Sequence, residues 1–419
     1  MKKIFGSYME GYKSFHPDAR RFLVLSFLQA FAANIFGLVF NLYVLELGYT
    51  RDFLGTLGAI PGLTIAALAI PLALFCSGLS ARKTILAAMA LSLAAMTGMS
   101  FFTSRAALML FSVLAGTAGA LMAITAMPLM ASLTSDEDRQ RLFSAQYASS
   151  MIAAFLGNLA SGWLTALWSA ALYGGAETSG AYRLTLLTAC IMLLASAPYA
   201  FGMKERKRSG PANGAAAFAG LAIGPALMVL APQLIVAFGA GMIIPYLNIF
   251  FKSGFDLPVA ALGYCMALMQ LAMAAGAMIG PATVRRYGRV RALITFQTLS
   301  IPFLALMGFS GALLPALLAA FARTMLMNAG WPIYSVFMLD HFQPAQHQAA
   351  SALYTTCWNL ANSAGARLSG RLQMDFGFTL PFLITITCYC AATLLLSRKF
   401  LKEDSKKAVL PTAIKEEIE

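Results

Sequence analysis

Arg323 is the residue whose type and position most invite chemistry. It lies near the middle of the apolar stretch 312–339, with at least ten residues on either side. A cation at the centre of a bilayer costs roughly 2.5–3.5 kcal/mol on insertion scales, so such a residue is kept for a reason. No Asp or Glu stands at similar depth in any apolar stretch. The nearest acids, Glu46, Asp256, Asp340 and Asp375, fall at stretch ends. Carbonyls, Asn or Gln side chains, water or a bound anion must therefore meet the guanidinium. Two roles stay open: a cavity-lining contact to an anionic or polar substrate, and a hydrogen bond tying two helices together.

Neutral polar side chains at membrane depth extend this pathway. Gln29, Asn34 and Asn41 recur along the first apolar stretch, and Gln146 and Tyr147 open the fifth. Gln233 and Asn248 lie in the seventh, Gln270 in the eighth, Asn328 beside Arg323 in the tenth, and Trp358, Asn359 and Asn362 in the eleventh. Each can bridge two helices or face a cavity; as a group they point to a wet cavity. The three histidines, His16, His341 and His347, stand outside mid-membrane positions and read as solvated groups. All six cysteines fall inside apolar segments without metal-ligand company, so they read as small buried hydrophobes. No phosphate loop, metal cluster or nucleophile constellation occurs. No enzymatic reaction, cofactor or metal is expected.

The elements that must position these residues follow from composition. Hydrophobic residues make up 59% of the 419 and charged residues 11%, against about 25% charged in soluble domains. A soluble fold cannot hide that much apolar surface, whereas lipid can face it. Long continuous apolar runs favour helices over the alternating segments of a spanning barrel. About 20 apolar residues cross the hydrocarbon, and twelve stretches qualify: 22–46, 54–76, 84–103, 106–133, 143–172, 182–203, 226–251, 260–284, 292–309, 312–339, 347–370 and 377–397.

Lys and Arg set the orientation. With the N-terminus inside, they favour the inner loops by about four to one, which places both termini in the cytoplasm. The formal charge of +13 is thereby explained by topology, and a nucleic-acid partner is not expected. The apolar run after Met1–Arg21 is too long for a signal h-region, so no cleavable signal peptide is expected. The expected location is a plasma membrane, the inner membrane in a bacterium. The expected partners are the lipid bilayer and a small-molecule substrate, with the chain as a monomer.

The charged, then Gly-, Ala- and Pro-rich segment 204–220 reads as a mobile cytoplasmic linker. It separates an N-terminal bundle, 1–203, from a C-terminal bundle, 221–398, followed by a cytoplasmic tail, 399–419. The halves resemble each other. Ser144–Tyr147 and Ser351–Tyr354 both read Ser-Ala-x-Tyr. Gly157 and Gly162 recur as Gly365 and Gly370, and Gly48 and Gly55 as Gly254 and Gly263, all at offsets of 206 to 208 residues. Duplicated halves with the substrate between them are a common transporter plan.

With twelve spans split six and six by a basic linker, the chain resembles the major facilitator superfamily over nearly its whole length. That family's loop signature, approximately Gly-x-x-x-Asp-Arg-x-Gly-Arg-Arg-Lys, has its better copy here between spans 8 and 9. There Pro281–Arg291 keeps Arg286, the turn Gly288, Arg289 and the later basics, with Arg285 at the Asp position. Between spans 2 and 3 only Arg82 and Lys83 remain, with Ser77 at the Asp position. In the family this loop latches the cytoplasmic side, and the loss of both acids leaves the latch or a mere turn as alternatives. Asp136, in Thr134–Asp138, is either part of a helix cap set by Ser135 or a gating partner for the basic loops. Gly239-Ala-Gly241 followed by Pro245-Tyr-Leu-Asn248 resembles the family's gating seventh helix.

The resemblance implies an all-α membrane protein of twelve transmembrane helices in two pseudo-symmetric six-helix bundles. It implies alternating access with a small organic solute as cargo, anionic or polar by preference because of Arg323. The family's proton-coupled pumps often carry a buried acid or an Arg in span 4, and neither is present. A coupling proton thus stays an open partner. Proton-coupled multidrug or lipid efflux is the alternative within the class, supported by 23 methionines. A non-transporting sensor or scaffold is the alternative outside it.

Overall fold

A computed structural model describes residues 15–76, 79–134, 136–204, 223–343 and 346–416. The linker 205–222 and Ser135 lie outside the described residues, as does the side chain of Asp136.

Twelve helical spans follow in chain order: α1 (Pro17–Glu46), α2 (Arg51–Phe75), α3 (Ala81–Phe101), α4 (Arg105–Ser132), α5 (Asp136–Leu172) and α6 (Ser179–Leu194, continued by Ala197–Phe201). Then come α7 (Ile223–Ile243 and Leu247–Phe255), α8 (Val259–Tyr287), α9 (Arg289–Phe309), α10 (Leu313–Leu339), α11 (His347–Phe376) and α12 (Thr379–Glu416). Eleven are long and apolar enough to cross a bilayer. The exception is α11, long enough but carrying Asn359, Asn362, Arg367, Arg371 and Gln373 along its length. The helix α12 continues through most of the expected tail, to Glu416.

Local sequence explains the ends. Ser80, Ser104 and Thr178 accept hydrogen bonds from Lys83, Ala107 and Ala181 N–H groups, capping α3, α4 and α6. Gly288, the turn glycine of the loop signature, takes φ +83° just before α9, a conformation that Cβ penalises. In α7, Pro245 supplies no N–H to the helix, and a 3-10 turn, Ile244–Tyr246, breaks the span. In the first turn of the resumed segment the buried Asn248 accepts from Ile249 N–H at 2.9 Å.

The chain divides into two units that exchange helix ends. Unit 1 holds α1, α2 from Ile60, α3 to α6, and Pro258–Ala267 at the start of α8. Unit 2 holds Thr50–Ala59 of α2, α7, α8 from Leu268, and α9 to α12. In unit 1, α1 packs on α5 and α6, and α3 on α4 and α6; in unit 2, α7 packs on α11 and α12, and α9 on α10 and α12. This is the same arrangement six helices later.

The repeat holds at the level of single atoms. Gly157 of α5 lies against the Phe31 carbonyl of α1, and Gly365 of α11 against the Phe238 carbonyl of α7. One turn on, Ser161 Oγ donates to Ile35 O at 3.1 Å, and Ser369 Oγ to Met242 O at 2.5 Å. Gly157 and Gly365 are therefore close-approach positions, where a side chain would push two helices apart, whereas nothing lies within 4 Å of a Cβ added at Gly48 or Gly254. Unit 1 is further tied by Asp18, which accepts from Arg21 Nη1 at 3.0 Å and Lys204 N–H at 3.4 Å, joining the start of α1 to the end of α6.

Candidate substrate site

Trp331 and Tyr334 stand three residues apart on α10, and Tyr354 and Trp358 four apart on α11, so each pair shares a helix face. The four rings form one cluster in unit 2. Trp331 meets Trp358 edge-on at 5.0 Å, and Tyr354 lies 6.0 Å from Trp331, 6.0 Å from Tyr334 and 6.1 Å from Trp358. These are the separations at which rings attract through their quadrupoles.

α7 fixes the two tyrosines. Pro232 lacks an N–H and so loosens the turn before it. The Tyr334 hydroxyl donates to Val229 O in that turn at 2.8 Å. The Gln233 carboxamide stands beside the Tyr354 hydroxyl. Tyr334 and Tyr354 are consequently buried, whereas Trp331 keeps 44% exposure. A half-exposed indole braced by a second indole and a fixed carboxamide is a stacking surface with a hydrogen-bonding edge.

Arg323, two to three turns before these rings on α10, has a partner on another helix. Its side chain is buried, and Nη2 donates to the Tyr389 hydroxyl of α12 at 2.7 Å, with the guanidinium 5.6 Å from the Tyr389 ring centre. It ties α10 to α12 inside unit 2, which is the helix-joining geometry of the two roles open in the sequence.

The remaining candidates divide by partner. Asn34, Asn328 and Asn359 each donate to a carbonyl one turn earlier in their own helix, Ala30, Thr324 and Thr355, at 2.8 Å. Gln146 donates to Ser150 at 3.0 Å. Asn362 bridges helices, donating to Ala237 O of α7 at 3.2 Å. Gln29, Asn41 and Gln270 are half-buried and Tyr147 is exposed. The cluster thus gathers Gln233 and Trp358 from the expected set and adds Trp331, Tyr334 and Tyr354. Trp331 was legible as one of only four tryptophans, inside a span and next to Pro332.

Of the loop residues, Arg289 forms an ion pair with Asp340 at the end of α10. Arg286 stacks on Tyr287 at 5.2 Å, Arg285 and Lys83 are exposed, and Arg82 is half-buried.

The exchanged helix ends are fastened within each unit. In unit 2, Gly55 of α2 packs on Ala366 and Gly370 of α11, Arg367 pairs with Asp52, and Arg51 lies 5.3 Å over the Phe378 ring. In unit 1, Gly263 of α8 packs on Asn158 and Gly162 of α5. Trp163 Nε1 donates to the Tyr264 hydroxyl at 2.9 Å, and Glu177 accepts from Val259 N–H at 2.6 Å.

With this geometry in place, the comparisons are decisive about family. The sequence matches the family model described as Major Facilitator Superfamily over residues 22–366 and again over 229–417. The chain belongs to the major facilitator superfamily. No curated protein matches its sequence. Among solved structures, it is similar to the nucleoside transporter NupG, with 14% identity, a TM-score of 0.69, and 90% of this chain and 97% of that one covered. It is also similar to the inward-open xylose transporter XylE from E. coli, with 14% identity, a TM-score of 0.72, and 91% and 96% covered. A bacterial homologue of the human lysosomal transporter Spinster, inward-facing and occupied, gives 13% identity, a TM-score of 0.75, and 92% and 97% covered. At these identities the likeness is one of fold. This superfamily chain is an integral membrane transporter of all-α fold, not an enzyme, and acts on a small molecule.

Proposed function

We propose that this transporter carries a neutral, polar, ring-bearing solute, of the kind represented by sugars and nucleosides, by alternating access between its two bundles. The carrying observation is the aromatic and carboxamide cluster of Trp331, Tyr354, Trp358 and Gln233. Flat indole faces favour the C–H faces of a sugar or the π-face of a base, and a carboxamide supplies one donor and one acceptor for ring hydroxyls. The anionic preference rested on Arg323, and its pairing with Tyr389 inside unit 2 favours a neutral cargo.

The duplicated halves support alternating access. The loop charges support both termini in the cytoplasm of a plasma membrane.

Counterflow in proteoliposomes tests this reading, with D-glucose, D-xylose, uridine, adenosine, citrate, an organic amine and a phospholipid as cargo. Exchange of at least one sugar or nucleoside is expected. Exchange only of citrate, the amine or the lipid overturns the neutral-ring cargo, and binding without any exchange points to a sensor.

A further inference from the structure

Asn362, Ala366 and Ser369 of α11 recur at intervals of four and three, so they share one helix face. That face runs along α7 up to and into its break, within unit 2. Asn362 Nδ2 donates to Ala237 O at 3.2 Å, and Ser369 Oγ to Met242 O at 2.5 Å. From the break itself, the buried Tyr246 hydroxyl donates to Ala366 O at 2.6 Å.

The repeat in unit 1 differs at this point. Ser161 makes the same bond to Ile35 O, but α1 is unbroken there, and its carbonyls keep their partners four residues on. In α7 the sequence removes such partners. Pro245 has no N–H for Gly241 O, and the 3-10 turn directs its N–H groups three residues back and not four. The helical partner of Met242 O is the Tyr246 N–H, which the turn draws toward Ile243. Ser369 therefore replaces a bond that the break weakens, whereas Ser161 adds to one already made.

Gln373, one turn beyond Ser369, is more than nine-tenths buried. The single proton of Ser369 Oγ goes to Met242 O, so this hydroxyl can only accept from Gln373, whose Nε2 donates to it at 2.9 Å. The other end of the carboxamide, Oε1, is buried without a partner. An unpaired buried oxygen is costly, so the residue is kept for what its NH2 end does. Four residues after Ser161 stands Thr165 instead, whose hydroxyl goes to Ser161 O and meets Thr185 Oγ1.

We infer that Ser369 and Gln373 are positioning residues that hold α7 in its broken form. Ser369 takes over the Met242 carbonyl, and Gln373 fixes the direction of the Ser369 proton. α11 is thus the rail against which the break in α7 is set.

The experiment uses the full-length protein in detergent without cargo, so its outcome is independent of the neutral-ring reading. Ser369→Ala, Gln373→Met and the control Ser161→Ala are made in wild type and in Pro245→Ala. Melting curves and hydrogen–deuterium exchange of residues 241–249 are recorded for each. In the wild-type background, Ser369→Ala and Gln373→Met are expected to speed exchange in that segment roughly fivefold, with a lowered Tm. In Pro245→Ala, where α7 regains an N–H, the same substitutions are expected to change exchange by less than about twofold. Ser161→Ala is expected to leave the segment as it is in both backgrounds. A general packing role would lower Tm and speed exchange alike with and without Pro245, and that result overturns the inference. Wild-type exchange in a folded Gln373→Met protein overturns it too, as does an effect of Ser161→Ala on the segment equal to that of Ser369→Ala. Should Ser369→Ala not fold, Gln373→Met carries the comparison alone.

Discussion

In the proposed reading, Trp358 serves the cargo and Arg323 holds the bundle. Trp358 supports Trp331 at 5.0 Å and contacts Tyr354 at 6.1 Å, so it shapes the stacking face. Trp358→Ala is expected to weaken cargo binding at least tenfold in a fluorescence or thermal-shift titration, with Trp358→Phe recovering much of it. Unchanged affinity in Trp358→Ala takes the cluster out of the site. Arg323 behaves in the opposite way. Tyr389→Phe removes the acceptor that meets a buried guanidinium, a loss of about 1–3 kcal/mol, read as a lower Tm with cargo affinity within threefold of wild type. A Tyr389→Phe protein that melts normally but no longer binds cargo would return Arg323 to the cargo path. The sequence made Arg323 conspicuous because depth of a charge is visible in one dimension. The contact its side chain makes, with Tyr389 of α12, depends on helix rotation, which only packing decides.

At the scale of elements, the repeat is where sequence and structure agree most closely. Offsets of 206 to 208 residues between glycine pairs are readable without coordinates, and they return as matched contacts of α1 on α5 and α7 on α11. Gly162, whose added Cβ would stand 2.8 Å from Val259 O, illustrates the cost of losing one. Gly162→Val is expected to destabilise by about 1–3 kcal/mol through overpacking. An unaltered melting curve would mean that the start of α8 is free to move off α5. The 3-10 break at Pro245 has the opposite sign. Pro245→Ala restores an N–H to α7 and is expected to raise Tm while slowing counterflow, with cargo affinity kept; equal flux would make the break a passive feature. Helix identity, the turn at Gly288 and the break at Pro245 were all legible from residue types. The polarity of α11 and the helical continuation past residue 399 were less so, because span limits drawn from apolar runs register neither side chains turned inward nor helix propensity beyond the membrane.

For the molecule as a whole, the placement of charge bears on how transport is driven. Coupling to a proton needs a group whose protonation changes with the exposure of the central path, and a membrane-buried carboxylate is the usual means. No apolar stretch contains an acid away from its ends. Among the described residues the sole buried carboxylate is Asp18, in the first turn of α1 and already paired with Arg21. His341 is packed between Phe337 and Phe400, at 4.6 and 5.4 Å, beside the ion-paired Asp340 at the end of α10, far along the helix from Trp331. The acids and histidines are thus gathered at helix ends. The expected behaviour is facilitative: flux in proteoliposomes that equilibrates the cargo and does not concentrate it when an inward proton gradient is imposed. Counterflow should likewise persist with a protonophore present. Accumulation of cargo above the outside concentration, abolished by the protonophore, would overturn the facilitative reading.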